Sequence, residues 1–318
     1  MSKILVTGAT GFVGKRLVPA LISAGHEVRC AVSKKVDWLR TEQVVVNKLE
    51  NNPDWSEALA GIDVVIHLAA RVHVMKETSA SAMDDYCKIN SIATRDLANQ
   101  AVQHRVRRFV FLSSIKVNGE FTLKNTPFTE ESMAQPEDPY GQSKLQAEQY
   151  LQEISQGTGL EVVIVRPPLI YGPEVKANFL KMLHLVRKGL PLPFGRVKNS
   201  RSLVYIENLV SALCTVATHP NAANQTYLVA DDDALSLTQM MSTLGKEMGK
   251  ASRLIPVPVG LMSFTFALLG KKNINTRLFG SLEVSNKKIK SQLNWVPPVA
   301  ATEGLRETVK WYQCEFGA

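Results

Sequence analysis

The glycines Gly8, Gly11 and Gly14 limit the architecture of this chain more than any other feature. They follow an apolar run at residues 3–7 and lead into an amphipathic stretch at residues 12–24. A strand that turns at once into a helix uses such glycines for separate purposes. The first permits the tight turn, the second lets backbone amides approach a pyrophosphate, and the third lets helix and strand pack closely. In this setting Gly8, Thr10, Gly11, Phe12, Val13 and Gly14 read as a dinucleotide-binding loop rather than a merely structural turn.

The rest of the pattern agrees. Further strand-like runs lie at residues 27–32, 43–47, 64–68, 108–113 and 161–167, and helical stretches at 83–104 and 140–156. Strands alternating with helices, and apolar nearly throughout, predict a parallel sheet covered on both faces. The expected fold is therefore α/β, a Rossmann-type doubly wound parallel sheet over residues 1–167. Residues 168–318 are expected to form mainly a smaller C-terminal α/β substrate lobe over the carboxyl ends of the strands, with chain returns to the first domain.

Composition narrows the partners. The net charge of +8 suits an anionic ligand, yet the basic residues are scattered, without a block interleaved with aromatics. A small polyanion fits better than nucleic acid. Cys30, Cys87, Cys214 and Cys314 lie far apart, with no Cys-x-x-Cys pair, so neither a disulfide framework nor a metal site is expected. The first residues run straight into a strand, leaving no room for a signal peptide, and a cytoplasmic protein is expected. The apolar stretch 257–270 is about half of what a membrane span needs. It reads as a core or lid helix, or as a shallow membrane-surface contact.

At the end of the second strand an acidic residue would hold the ribose hydroxyls of NAD. The chain has Ser33-Lys34-Lys35 instead, which favours NADP(H), with NAD(H) and a simple solvated turn as alternatives. Downstream, Tyr140 and Lys144 are four residues apart and share a helical face. A tyrosine is a poor acid–base group at neutral pH, but a lysine ammonium and an oxidised nicotinamide nearby favour its phenolate. Such a phenol takes a proton from an alcohol, or returns one to a carbonyl, while hydride moves. Ser114, at the carboxyl end of a strand, can hydrogen-bond the reacting oxygen.

Taken together, these segments resemble the extended short-chain dehydrogenase/reductase family in its nucleotide-sugar epimerase/dehydratase branch. The resemblance rests on the glycine loop, His67-Leu68-Ala69-Ala70, Lys88-Ile89-Asn90, Ser113-Ser114-Ile115-Lys116-Val117-Asn118-Gly119, Tyr140-Gly141-Gln142-Ser143-Lys144 and Arg166-Pro167-Pro168-Leu169-Ile170-Tyr171-Gly172-Pro173. It implies Ser114, Tyr140 and Lys144 as the catalytic set. Asn90 is then either an orienter of a water relay or a helix-face amide bonded to backbone. Leu68, Ala69, Ala70 and Pro167 would line the cofactor. Asn178, Arg201 and, more loosely, Arg277 would contact a UDP-sugar. It also implies a homodimer through the helical stretches 83–104 and 140–156.

Departures from the family pattern bear on the reaction. Ile115 and Lys116 stand where 4,6-dehydratases carry an Asp-Glu pair, which removes the acid and base for water elimination. Asn118 replaces a tyrosine near the sugar. The 113–120 stretch and Phe279-Gly280-Ser281-Leu282 resemble reductases that convert UDP-4-keto-6-deoxy-N-acetylglucosamine to UDP-N-acetylquinovosamine. The leading expectation is thus a 4-keto reductase of surface-polysaccharide sugar synthesis, with a UDP-sugar 4-epimerase as the alternative. A regulator that senses NADP without catalysis is a third reading, disfavoured because both Tyr140 and Lys144 are present.

Overall fold

The computed structural model describes residues 1–72, 81–123, 125–268 and 278–317. The chain opens with β1 (Lys3–Thr7), α1 (Gly14–Ser23), β2 (Glu27–Val32), β3 (Glu42–Val45), α2 (Ser56–Leu59) and β4 (Val64–His67). Next come α3 (Ser81–Tyr86), a π-helical turn (Cys87–Ile92) and α4 (Ala93–Gln103), where the sequence predicts a single helix over 83–104. The buried residues of that turn are the polar Asn90 and Ser91, so hydrophobic periodicity does not reveal the wider turn. β5 (Arg108–Leu112), α5 (Pro139–Gly157) and β6 (Glu161–Arg166) complete the segment.

The chain continues with β7 (Leu169–Tyr171), α6 (Ala177–Arg187), β8 (Leu203–Tyr205), α7 (Ile206–Thr218) and β9 (Thr226–Leu228). It then forms α8 (Leu237–Glu247), α9 (Val259–Leu268) and the closing helices Lys287–Leu293 and Ala301–Phe316. The main sheet has the order β3-β2-β1-β4-β5-β6-β9, and every pairing in it is parallel. β9 therefore brings residues beyond 167 back to the sheet edge. β7 and β8 form a separate two-stranded parallel sheet.

Strand periodicity divides the core between the two faces. Ile4, Val6, Val64, Ile66 and Val110 pack to the side of α1 and α7 with Leu17, Leu21, Leu209 and Leu213. Leu5, Val65, Phe109 and Phe111 point the other way, to Leu97, Ala101, Ala147 and Leu151 of α4 and α5. With both faces buried, these strands leave only their ends for ligands, and the order reverses between β1 and β4. That reversal opens the crevice where doubly wound sheets bind.

Gly8 and Gly14 shape the mouth of this crevice. Gly8 has φ +69°, and a Cβ on it would lie 2.8 Å from Ala69 N. A Cβ on Gly14 would overlap Gly8 O and approach Ala9 Cα to 2.6 Å. Both obstacles are backbone and cannot rotate away. Gly14→Ala is therefore expected to destabilise the chain by about 1–3 kcal/mol through overpacking, measured by chemical denaturation. An unchanged midpoint would show that the turn yields.

Candidate active site

A directional chain of buried hydrogen bonds joins the glycine turn to the helix that carries Tyr140. Ala69 N donates to Thr7 Oγ1 at 3.2 Å, and Thr7 Oγ1 lies 2.7 Å from His67 Nδ1. His67 Nε2 lies 3.0 Å from Thr94 Oγ1, which donates to Asn90 O at 2.8 Å. Asn90 Nδ2 then donates to Ser143 Oγ at 3.0 Å, and Ser143 Oγ donates to Tyr140 O at 2.8 Å. Because the Thr94 proton is spent on Asn90 O, Thr94 Oγ1 accepts from His67 Nε2–H, and Nδ1 accepts from Thr7. Burial, and then the nearby Lys144 charge, push the His67 pKa down to about 3, so the ring stays neutral and this tautomer persists.

Asn90 lies in the π-helical turn and is fully buried. Besides Ser143 it holds the backbone after β4, accepting from Arg71 N at 2.8 Å and donating to Arg71 O at 3.0 Å. Its amide is thus engaged with backbone and Ser143.

α5 starts where two signals coincide. Pro139 occupies the first turn, and Asp138 caps it by accepting from Gly141 N at 2.8 Å. Asp138 also pairs with Lys116 Nζ, which binds Glu120 at 3.0 Å as well. The lysine standing where dehydratases carry an acid therefore ties the Ser114 turn to the start of α5. Tyr140 is partly buried there and meets the Tyr86 ring edge-on at 6.1 Å. Burial, then the Asp138 charge and Tyr86, push its phenol well above the usual tyrosine value.

One turn on, Lys144 is buried, donates to Leu112 O at 2.8 Å and lies 4.4 Å from the Phe111 ring centre. Burial pushes its ammonium from the usual 10.5 down to about 7, opposed by Glu148. The lowering of the Tyr140 pKa that the sequence assigns to Lys144 and a charged nicotinamide is not produced by the protein groups alone.

Ser114 is extended and caps the turn Ile115–Val117, accepting from Lys116 N at 3.3 Å. Ile115 N donates to Pro167 O at 2.9 Å, which sets the ends of β5 and β6 side by side. Ser114, Lys144 and Pro167 thus converge at the carboxyl edge of the sheet. Beneath them Glu148 accepts from Ser113 Oγ and from Arg166 Nε (2.9 Å) and pairs with the Arg166 guanidinium. Arg166 Nη1 also donates to Asn118 Oδ1 at 3.1 Å. Asn118 is therefore buried and serves Arg166, in addition to lining a cavity of about 390 Å³ with Gly119 and Phe128. The sequence reading gives Glu148 and Arg166 no role. The available signal is that Glu148 lies four residues after Lys144, on the same helical face.

The other expected contacts differ in placement. Thr10 and Gly11 are exposed at the turn, Phe12 is partly buried and Val13 buried. Leu68, Ala69 and Ala70 follow β4 and are partly buried, while Ser33, Lys34 and Lys35 are exposed after β2. Asn178 is exposed in the first turn of α6. Arg201 is partly buried, donates through Nη1 to Gly280 O at 3.0 Å and bridges through its backbone to Leu235 and Leu282. Arg277 lies outside the described residues.

The glycine turn fits a dinucleotide. A Cβ at Gly8 would meet the chain after β4, and Phe12 and Val13 open α1, where unpaired amides attract a pyrophosphate.

Thr94→Val keeps the shape but leaves His67 Nε2–H without its acceptor. A loss of about 1–3 kcal/mol is expected, with Thr94→Ser recovering most of it in denaturation curves. Unfolding returns Lys144 to its usual pKa, so the unfolded chain binds more protons between pH 7 and 10. Stability from this group rises across that window and is lost as the pH falls toward 7. Lys144→Met should remove this rising contribution when melting temperatures are followed between pH 7 and 9, below the range where the buried Cys30 and Cys214 thiols oppose it.

A model of the NAD dependent epimerase/dehydratase family matches residues 4–230. Over 309 residues the chain is 42% identical to a UDP-glucose 4-epimerase of Vibrio cholerae, covering 96% of this chain and 94% of that protein. A UDP-glucuronic acid 4-epimerase from Bacillus cereus, solved with NAD, superposes with a TM-score of 0.79 at 22% identity, over 99% of each chain. A UDP-glucose 4-epimerase from Thermotoga maritima, solved with UDP-glucose, gives 0.78 at 24% identity, again over 99% of each. The two structures show a shared fold. The family match extends through the main sheet and the Tyr140 helix, and with the Vibrio cholerae likeness it establishes that the chain belongs to the NAD dependent epimerase/dehydratase family.

Proposed function

We propose that the chain moves hydride at C4 of a UDP-linked hexose, as a UDP-sugar 4-epimerase. What supports this reading is that Lys144 reaches Leu112 O at the end of β5, where Ser114 follows, with Tyr140 one turn before Lys144 on α5, together with the likeness to the Vibrio cholerae epimerase. The bound nicotinamide dinucleotide supplies a hydride acceptor and, when oxidised, a positive charge beside the phenol.

On this reading Tyr140 takes the C4 hydroxyl proton as hydride leaves C4, and returns a proton to the 4-keto oxygen as hydride comes back to the opposite face of C4. Ser114 holds the reacting oxygen. Lys144, placed by Leu112 O, stabilises the phenolate and orients the cofactor. Gly8, Thr10, Gly11, Phe12, Val13 and Gly14 would hold the cofactor pyrophosphate, and Leu68, Ala69, Ala70 and Pro167 would line the nicotinamide site. Asn178 and Arg201 approach the UDP diphosphate, Arg201 through a guanidinium that matches phosphate oxygens.

Net 4-keto reduction of a UDP-6-deoxy-4-keto-N-acetylhexosamine is the second reading. The exposed Ser33-Lys34-Lys35 turn favours it, because it suits a 2′-phosphate and an exchangeable NADP(H).

Purified enzyme given UDP-glucose should form UDP-galactose with no net change in cofactor absorbance. Tyr140→Phe should lower kcat by about 10²–10⁴-fold while nucleotide binding, followed by fluorescence, is kept. Consumption of NADPH with the 4-keto-6-deoxy substrate, and no epimer formation, would move the assignment to reductase. Unchanged turnover in the Phe variant would remove Tyr140 from the mechanism.

A further inference from the structure

The smaller lobe carries an apolar ridge that C4 chemistry does not use. Residues 255–268 include no charged side chain. Met262 of α9 is buried at 5% exposure and anchors the helix, whereas Leu261 and Phe264, one turn apart, are 57% and 61% exposed. Ile255, at 48%, and Leu190, at 54%, extend the ridge. Their segments lie side by side: Ile255 N donates to Leu192 O at 2.7 Å, and Leu192 N to Arg253 O at 2.8 Å. A helix on the surface of a globular protein normally turns its polar face outward. Single exposed apolar residues need no explanation, but a contiguous set marks a contact surface.

The charge around the ridge indicates what it contacts. No Asp or Glu occurs between Glu174 and Glu207, and Lys181, Lys188, Arg196 and Lys198 are exposed there. Lys188 and Arg196 flank the 190–195 stretch, and exposed Arg253 stands in the segment paired with it. A symmetric contact with a second copy would bring this basic rim against itself. An anionic bilayer satisfies both the apolar ridge and its cations. Among the described residues no helix is long and apolar enough to cross a membrane, so the contact lies in the plane of the surface.

We propose that the ridge is a monotopic membrane-contact surface. Leu190, Ile255, Leu261 and Phe264 enter the boundary between headgroups and acyl chains, and Lys188, Arg196 and Arg253 meet lipid phosphates. This is independent of which C4 reaction the enzyme performs.

The test is flotation of the whole protein with vesicles of equal parts phosphatidylglycerol and phosphatidylcholine. Binding is expected, and should be at least about tenfold weaker on phosphatidylcholine alone or at high salt. Leu261→Ser with Phe264→Ser should cut binding about tenfold or more, with circular dichroism, mass by light scattering and turnover of a soluble UDP-sugar unchanged. Lys188→Gln with Arg253→Gln, which leaves the ridge intact, should also weaken binding to the anionic vesicles. Absence of wild-type binding, or equal binding by the variants, would overturn the proposal. A smaller oligomer of the serine variant in lipid-free buffer would overturn it too, assigning the ridge to a second copy of the chain.

Discussion

The buried hydrogen-bond chain from Ala69 to Tyr140 O connects parts of the protein that the backbone leaves separate. The glycine turn belongs to β1, His67 to β4, Asn90 to the π-helical turn and Tyr140 to α5. Each donor in the sequence Thr7, His67, Thr94, Asn90 and Ser143 has one direction available once the neighbouring hydroxyl is assigned. A chain of this kind holds each group in a single state, because an unmade buried bond costs more than a made one contributes. A neutral His67 is essential to it. Protonation would turn Nδ1 into a donor and leave the Thr7 hydroxyl proton without its acceptor, and the burial that lowers the His67 pKa opposes that.

A second network fixes the other side of the cleft. Glu148 and Arg166 are buried as a pair and bonded further to Ser113 and Asn118, so both charges are compensated without solvent. Removing one partner of such a pair costs about 3–5 kcal/mol. Glu148 also partly offsets the burial that strips charge from Lys144. Lys116 then links this edge to Asp138 at the cap of α5. Ser114, Tyr140 and Lys144 thus stand on elements held from two directions, which a geometry-sensitive proton transfer requires.

Much of this was legible in the sequence because it depends on local rules. Gly8 and Gly14 are required by backbone proximity, and Asp138-Pro139 marks the start of α5. Strand geometry sends the neighbours Ile4 and Leu5 to opposite faces. What was not legible depends on long-range pairing. His67 looks like another apolar-strand terminus until Thr94 is brought beside it, and Glu148 looks like a solvated helix residue until β6 delivers Arg166. The π-helical turn was hidden because the residues it buries, Asn90 and Ser91, are polar and leave no hydrophobic signal. Exposure on α9 was left open, since an apolar run reads the same as a core or lid helix or as a membrane-surface contact.

In the reaction we propose, hydride leaves and returns at C4 while Tyr140 carries the proton. It is tested most directly by giving the enzyme UDP-glucose deuterated at C4 in ordinary water and reading both epimers by mass spectrometry and proton resonance. The account predicts UDP-galactose that retains deuterium at C4, formed more slowly than from unlabelled substrate. Loss of the label to water, or no conversion of UDP-glucose, would contradict it.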